Sequence, residues 1–325
     1  MKNLINNLPP QLTKRFGAFM QLLMIFTLCY YVFIKLSDMG WDSILQNLPD
    51  HPLYYAIFLI TFTLMPLSES LIYSKHWRQH MHDSHRFFPV LMRKQALNDV
   101  VVGYSGEAYL YIWARRHLKQ NHRNSLSLVK DATLISGATS STAALFLLIG
   151  FWQFGDFKGL MNNLPDGIHY VGGVMAVSIL IVLILVFFGK HLIKVPRREA
   201  GRIVSIFTAR LVLFESLQVL QWSLILPEVP LSVWIGFVTT KMMITRIPFT
   251  PNKELILLGL AVTLSDYVPS AEAALAGLFL TSTVLNQVSN ISVFTLTTLA
   301  GFRSQKELED AADDENESNK TADQA

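Results

Sequence analysis

The chain has 325 residues, 51% of them hydrophobic and only 16% charged, with a formal net charge of +3 and a mean hydropathy of +0.35. Soluble domains carry about a quarter charged residues; here the apolar residues come in blocks long enough to cross about 30 Å of hydrocarbon at about 1.5 Å per residue. A soluble protein is excluded, and the pattern predicts an all-α, polytopic integral membrane protein whose partners are membrane lipids rather than nucleic acid.

Clear spans run from Gly17 to Leu36, Leu53 to Ile72, Ala132 to Phe151, Tyr170 to Phe188 and Ile203 to Leu226, and a last long one from about Ala271 to Ala300. The first block is too long for the apolar region of a signal peptide and has no small-x-small site after it, so it reads as a retained span. It holds the single cysteine, Cys29, which excludes an intramolecular disulfide and reads as a small apolar helix residue.

Two further regions are apolar but interrupted. Residues 86–119 hold two short apolar stretches around Gly103 and Gly106, and residues 229–268 hold two more around Pro248 and Pro251. Backbone that leaves the helix at membrane depth must be covered by protein or line a wet cavity. Paired, Gly/Pro-interrupted segments in two halves of a chain point to a transporter binding site. The expectation is therefore about six to eight transmembrane helices with two interrupted, re-entrant hairpins. Juxtamembrane helices lying on the surface are the plainer alternative.

Basic residues set the orientation. They cluster at Lys2, Lys14 and Arg15, along 75–130, and at 190–202, whereas the loops at 37–52 and 152–169 hold only Lys158 against five aspartates. Both termini are expected in the cytoplasm, in a bacterial-type cytoplasmic (inner) membrane. Residues 1–303 form the membrane domain. Residues 304–325 hold eight acids and two lysines and lack aromatics, so a disordered acidic tail is expected. Setting aside the tail's −6 turns the chain's +3 into about +9 for the membrane part, facing the anionic cytoplasmic leaflet.

Charged groups inside a bilayer are costly and read as functional by default. The first cluster is Lys94, Asn98, Asp99, Glu107 and Arg115, arranged around Gly103 and Gly106. The glycines permit a tight reversal, and Glu107 falls at the start of the second half-helix, where an acid also serves as a cap. The second cluster, Lys241, Arg246, Pro248, Pro251, Asn252, Lys253 and Glu254, offers cations for a phosphate headgroup, with snorkelling at the interface as its plain alternative. Within one span, Arg210, Glu215, Gln218 and Gln221 make a polar arc at 100° per residue that must face protein. A structural Glu107–Arg210 ion pair is the bland account of those two charges. Asp266, Glu272, Asn286, Gln287 and Asn290 extend the polar set. His76, His80, His82 and His85 with Asp83 read as an interfacial belt, not a metal site, and no nucleotide, metal or cofactor motif is present.

These two breaks carry a resemblance. The chain resembles the transmembrane flippase-like family named for the membrane region of lysylphosphatidylglycerol synthase, from about Gly17 to Ala300. Asn98, Gly103, Gly106 and Glu107 match its first signature, with Val102 where proline is usual. Pro248 and Pro251 match its second, with Asn252-Lys253-Glu254 in place of glycines. The resemblance implies a lipid-handling membrane protein that moves a lipid with a charged or sugar headgroup between leaflets. It implies no enzyme activity, since no soluble synthase domain follows Ala300.

The site residues expected for the headgroup are Asn98, Gly103, Gly106, Glu107, Arg115, Arg210, Glu215, Lys241, Arg246, Pro248 and Pro251. The lipid would be anionic or zwitterionic, and a second copy or an envelope enzyme is left open as a partner. The alternatives are a membrane-embedded lipid-modifying transferase with Asp99 or Glu107 as base, and a non-transporting envelope partner.

Overall fold

The computed structural model describes residues 41–77, 87–100, 104–117, 122–154, 192–245, 256–259 and 272–322, with isolated helical positions within 30–37 and 176–183. The described residues contain no strand. In order they form α1 (Trp41–Gln46), α2 (Pro52–Trp77), α3 (Phe87–Val100), α4 (Ser105–His117), α5 (His122–Phe154), α6 (Arg197–Ile225), α7 (Leu231–Ile244) and α8 (Glu272–Ala322). A helix satisfies each backbone N–H and C=O within its own segment, which is what an apolar surrounding demands.

Among the described residues, three stretches are long and apolar enough to cross a membrane: Pro52–Trp77, Ser127–Gly150 and Arg197–Ile225. They coincide with three of the expected blocks. The blocks at 17–36 and 170–188 lie mostly outside the described residues, and that at 271–300 falls in the first part of α8. Helix α8 continues to Ala322, because no Gly or Pro follows Gly301 and the segment is rich in the good helix formers Ala, Glu, Gln and Lys.

Two apolar clusters mark opposite ends of the bundle. One joins Tyr54 of α2, Ala144 of α5, Trp222 of α6, Trp234 and Phe237 of α7 and Phe279 of α8. Its rings are close, with Trp222 and Phe237 each 5.2 Å from Phe279. Gly277 lets α8 approach α1, since a Cβ there would lie 2.7 Å from the Asn47 carbonyl oxygen. The other cluster joins Tyr73 and Trp77 at the far end of α2 to Phe87 and Leu91 of α3, Leu110 of α4 and Leu128 of α5. At that same end Glu199 of α6 pairs with Lys75 of α2.

Helix α2 contains Pro66, which cannot donate to the carbonyl four residues back. That carbonyl is Phe62, and the Gln95 side chain of α3 donates to it at 3.3 Å. The proline is thus tolerated through a neighbouring helix, the usual remedy at membrane depth.

Helices α3 and α4 lie antiparallel: Phe87 meets Trp113 at 5.6 Å, and Asn98 meets Gly106. Both outer ends belong to the second cluster. Helix α7 starts among the rings of the first cluster, and Leu257 and Leu258 return to that same cluster.

A charged cavity between two helical tips

The junction of α3 and α4 is closed by side chains because helix ends leave backbone groups without partners. Ser105 Oγ donates to the Leu97 carbonyl at 2.7 Å, and Asn98 Oδ1 accepts the Gly106 N–H at 2.7 Å. Asn98 Nδ2 also donates to Glu107 Oε1 at 3.3 Å. Glu107 stands in the first turn of α4, as the sequence predicts. Gly106 is required by contact, since a Cβ there would collide with the Lys94 carbonyl and lie 2.9 Å from Asn98 Oδ1. Tyr104, just before α4, has a φ of 73°, a left-handed conformation uncommon outside glycine.

Beside this junction lies a buried ion cluster. Lys94, whose side chain is 3% exposed, reaches Glu69 Oε1 of α2 at 2.5 Å and Glu107 Oε1 at 3.1 Å. One ammonium therefore serves two carboxylates, and Glu107 Oε2 is buried without a hydrogen-bond partner. Burying ions without pairing is costly, which explains why these three charges collect in one place. Glu107 is thus paired with Lys94 rather than with Arg210.

The α3 tip borders a cavity of about 400 Å³. From α3 it is lined by Gln95, Asn98 and Asp99; from the middle of α2 by Phe58, Thr61, Phe62 and Met65; and from α5 by Ser136 and Ser140. Helix α6 contributes Arg210, Glu215, Gln218 and Gln221, so the arc expected from helical periodicity does line one space. Lys241 and Thr245 at the end of α7 and Ser282, Asn286 and Gln287 of α8 complete it. The two apolar clusters lie on either side of it along the helices.

The two cavity cations differ. Lys241 donates to Gln218, lies 3.5 Å from Glu215 Oε2, and stands 4.3 Å from the Phe214 ring, so its charge is already engaged. Arg210 lies over the Phe207 ring at 4.9 Å, with Glu69 and Glu215 as the carboxylates whose charge acts on it. Its Nη1 is buried without a hydrogen-bond partner. Asp99 is exposed toward the cavity and accepts Asn290 Nδ2 of α8 at 3.1 Å.

Of the residues expected to hold the headgroup, Asn98, Arg210, Glu215 and Lys241 meet at the cavity, and Asp99, Gln218, Gln221, Asn286 and Gln287 of the wider polar set join them. Gly106 and Glu107 stand behind Asn98 in the hairpin, and Arg115 is exposed on α4 and not part of the lining. Gly103, Arg246, Pro248 and Pro251 lie outside the described residues, as do Asp266, His80, His82 and His85. Sequence reasoning missed Glu69 and Gln95. Glu69 carried the same signal as Arg210, a charge within an apolar block; Gln95 carried none apart from its partner, the carbonyl freed by Pro66.

A buried guanidinium with an unpartnered donor, among amides and hydroxyls, is suited to holding an anionic oxygen and hydrogen-bonding the atoms around it. The chain matches no known protein family, no curated protein and no solved structure.

Proposed function

We propose that this chain is a flippase-like lipid transporter of a bacterial-type cytoplasmic membrane, similar to the membrane region of lysylphosphatidylglycerol synthases, and not an enzyme. The observation that carries the reading is the charge-lined cavity of about 400 Å³ bordered by the middle of membrane-length helices. Polar groups at that depth are retained where a substrate uses them. The space suits a headgroup, while acyl chains stay in lipid.

The bundle holds about six to eight spans, and both interrupted segments are re-entrant. The α3–α4 hairpin enters from the end rich in cations, the cytoplasmic one, with both termini on that side. Helix α7 starts at the opposite end. Their tips, at Asn98 and Thr245, border the same cavity, the arrangement expected where access alternates between two faces. Arg210 holds the headgroup phosphate, and Asn98, Gln218 and Asn286 hydrogen-bond the remainder.

The test is leaflet exchange of a tail-labelled phospholipid in proteoliposomes, read by quenching from outside. The wild-type chain should accelerate exchange over protein-free vesicles, and Arg210→Ala should remove the acceleration. Equal rates with and without wild-type protein overturn the proposal.

A further inference from the structure

Resting on the lipid-carrier reading, we infer that Gln95 reads the headgroup together with Arg210, and that the lipid taken carries a hydroxyl beside its phosphate.

Two buried polar atoms of the lining residues lack a hydrogen-bond partner, and they are of opposite kind. Nη1 of Arg210 on α6 is a donor, and Oε1 of Gln95 on α3 is an acceptor. The other end of the Gln95 amide fixes which atom is left over. Nε2 meets the Phe62 carbonyl at 3.3 Å, and only a donor can face that oxygen. Gln95 is 9% exposed and tied to the carbonyl that Pro66 leaves free, so its oxygen does not swing out to water. A buried acceptor without a donor is destabilising. In a cavity wall, the occupant of the cavity can supply that donor.

The chemistry of the donor follows. The oxygens of an ionised phosphate diester satisfy Arg210 but only accept, so they offer Gln95 nothing. The donor must come from the alcohol esterified to the phosphate. A hydroxyl brings one neutral O–H. An ammonium brings a charge, and one neutral acceptor does not offset the water it sheds. The hydroxyl oxygen in turn needs donors. Gln218 and Asn286 have their amide oxygens engaged by Lys241 and Asn290, which leaves their N–H groups for that purpose.

The full-length chain in nanodiscs of equal phosphatidylglycerol, phosphatidylethanol and phosphatidylethanolamine, followed by mass spectrometry of the lipid retained after mild detergent extraction, tests this directly. Phosphatidylglycerol and phosphatidylethanol carry the same charge and differ in headgroup hydroxyls, so their ratio reads the hydroxyl and not the charge. The wild type should retain phosphatidylglycerol over phosphatidylethanol by about tenfold, and over phosphatidylethanolamine as well. Gln95→Leu is read in a Pro66→Ala background, where α2 supplies its own donor to the Phe62 carbonyl. Pro66→Ala alone should keep the preference, and adding Gln95→Leu should bring the ratio near one. Arg210→Gln should lower retention of all three phospholipids alike.

A wild-type ratio near one overturns the inference, as does retention of phosphatidylethanolamine above phosphatidylglycerol, or a ratio unmoved by the double variant. Should that variant fail to accumulate as folded protein, Gln95→Met in the same background, similar in length and without the acceptor, decides in its place. Tight binding of glycerol 3-phosphate to the detergent-purified chain, beside a flat lipid ratio, would assign the site to a soluble ester and overturn the lipid assignment. Selective retention without any leaflet exchange would refute transport while leaving the headgroup assignment standing; exchange of all three phospholipids at one rate, without selective retention, would do the reverse.

Discussion

Asn98 Oδ1 accepts the backbone N–H of Gly106 at 2.7 Å, so one side chain ends α3, starts α4 and faces the cavity at once. The hairpin is therefore built into the site rather than beside it. Whatever displaces Gly106 from Asn98 moves the cavity wall.

Gly106→Ala places a methyl group against the Lys94 carbonyl, which is backbone and cannot rotate away. The two helices must separate, at a cost of about 1–3 kcal/mol. The expected outcome is a lower thermal midpoint of detergent-purified protein and weaker lipid retention. An unchanged midpoint would show that the helices part freely there.

Gln95 and Pro66 should be coupled through the Phe62 carbonyl. Gln95→Leu leaves that carbonyl without its donor, a loss of about 1–3 kcal/mol for a buried acceptor. In a Pro66→Ala background the backbone N–H gained at that position takes the same carbonyl within α2, so Gln95→Leu should cost much less. A double-mutant cycle on unfolding in detergent measures the difference, and additive single effects would refute the account.

Lys94→Met removes the one ammonium between Glu69 and Glu107. Two buried carboxylates then face each other, and breaking such a group costs about 3–5 kcal/mol. Folded protein in membranes should fall sharply. Adding Glu69→Gln and Glu107→Gln to Lys94→Met removes the surplus charge and should restore most of it; failure of that triple variant to recover would place the loss elsewhere than in electrostatics.

Orientation is open to labelling. In a Cys29→Ser background, single cysteines at Asp42 and Asp166 should react with an impermeant reagent applied outside intact cells, and one at Lys306 should not, because cations concentrate at 75–130 and 190–202. Outside labelling at Lys306 would reverse the bundle and with it the side from which α3 and α4 enter.

The apolar membrane-length stretches within α2, α5 and α6 were legible because spanning a bilayer is a one-dimensional requirement on apolar run length. The arc of Arg210, Glu215, Gln218 and Gln221 was legible because helical periodicity fixes which side chains share a face. Partner choice was not. Nothing in spacing tells that Lys94 takes Glu69, distant in the chain, or that Gln95 serves the carbonyl freed by Pro66; those follow only once α2 and α3 are packed.

The pairing of Glu107 decides how Glu107→Gln and Arg210→Ala should combine. If these two formed a structural ion pair, each single change would leave a buried charge and lower abundance, and the double change would restore it. Glu107 instead pairs with Lys94, and Arg210, in the cavity lining, lies over Phe207 with Nη1 buried and without a hydrogen-bond partner. Arg210→Ala should therefore leave abundance nearly unchanged and remove lipid exchange, because what is lost is an anchor for substrate. Glu107→Gln keeps the shape of the hairpin and one carboxylate, Glu69, for Lys94, so it should reduce exchange through Asn98 and the tip with only a modest fall in abundance. The double variant should show no recovery in either measure. Immunoblotting of membranes gives abundance and the proteoliposome assay gives exchange; recovery of abundance in the double variant would mean that the two charges answer each other after all.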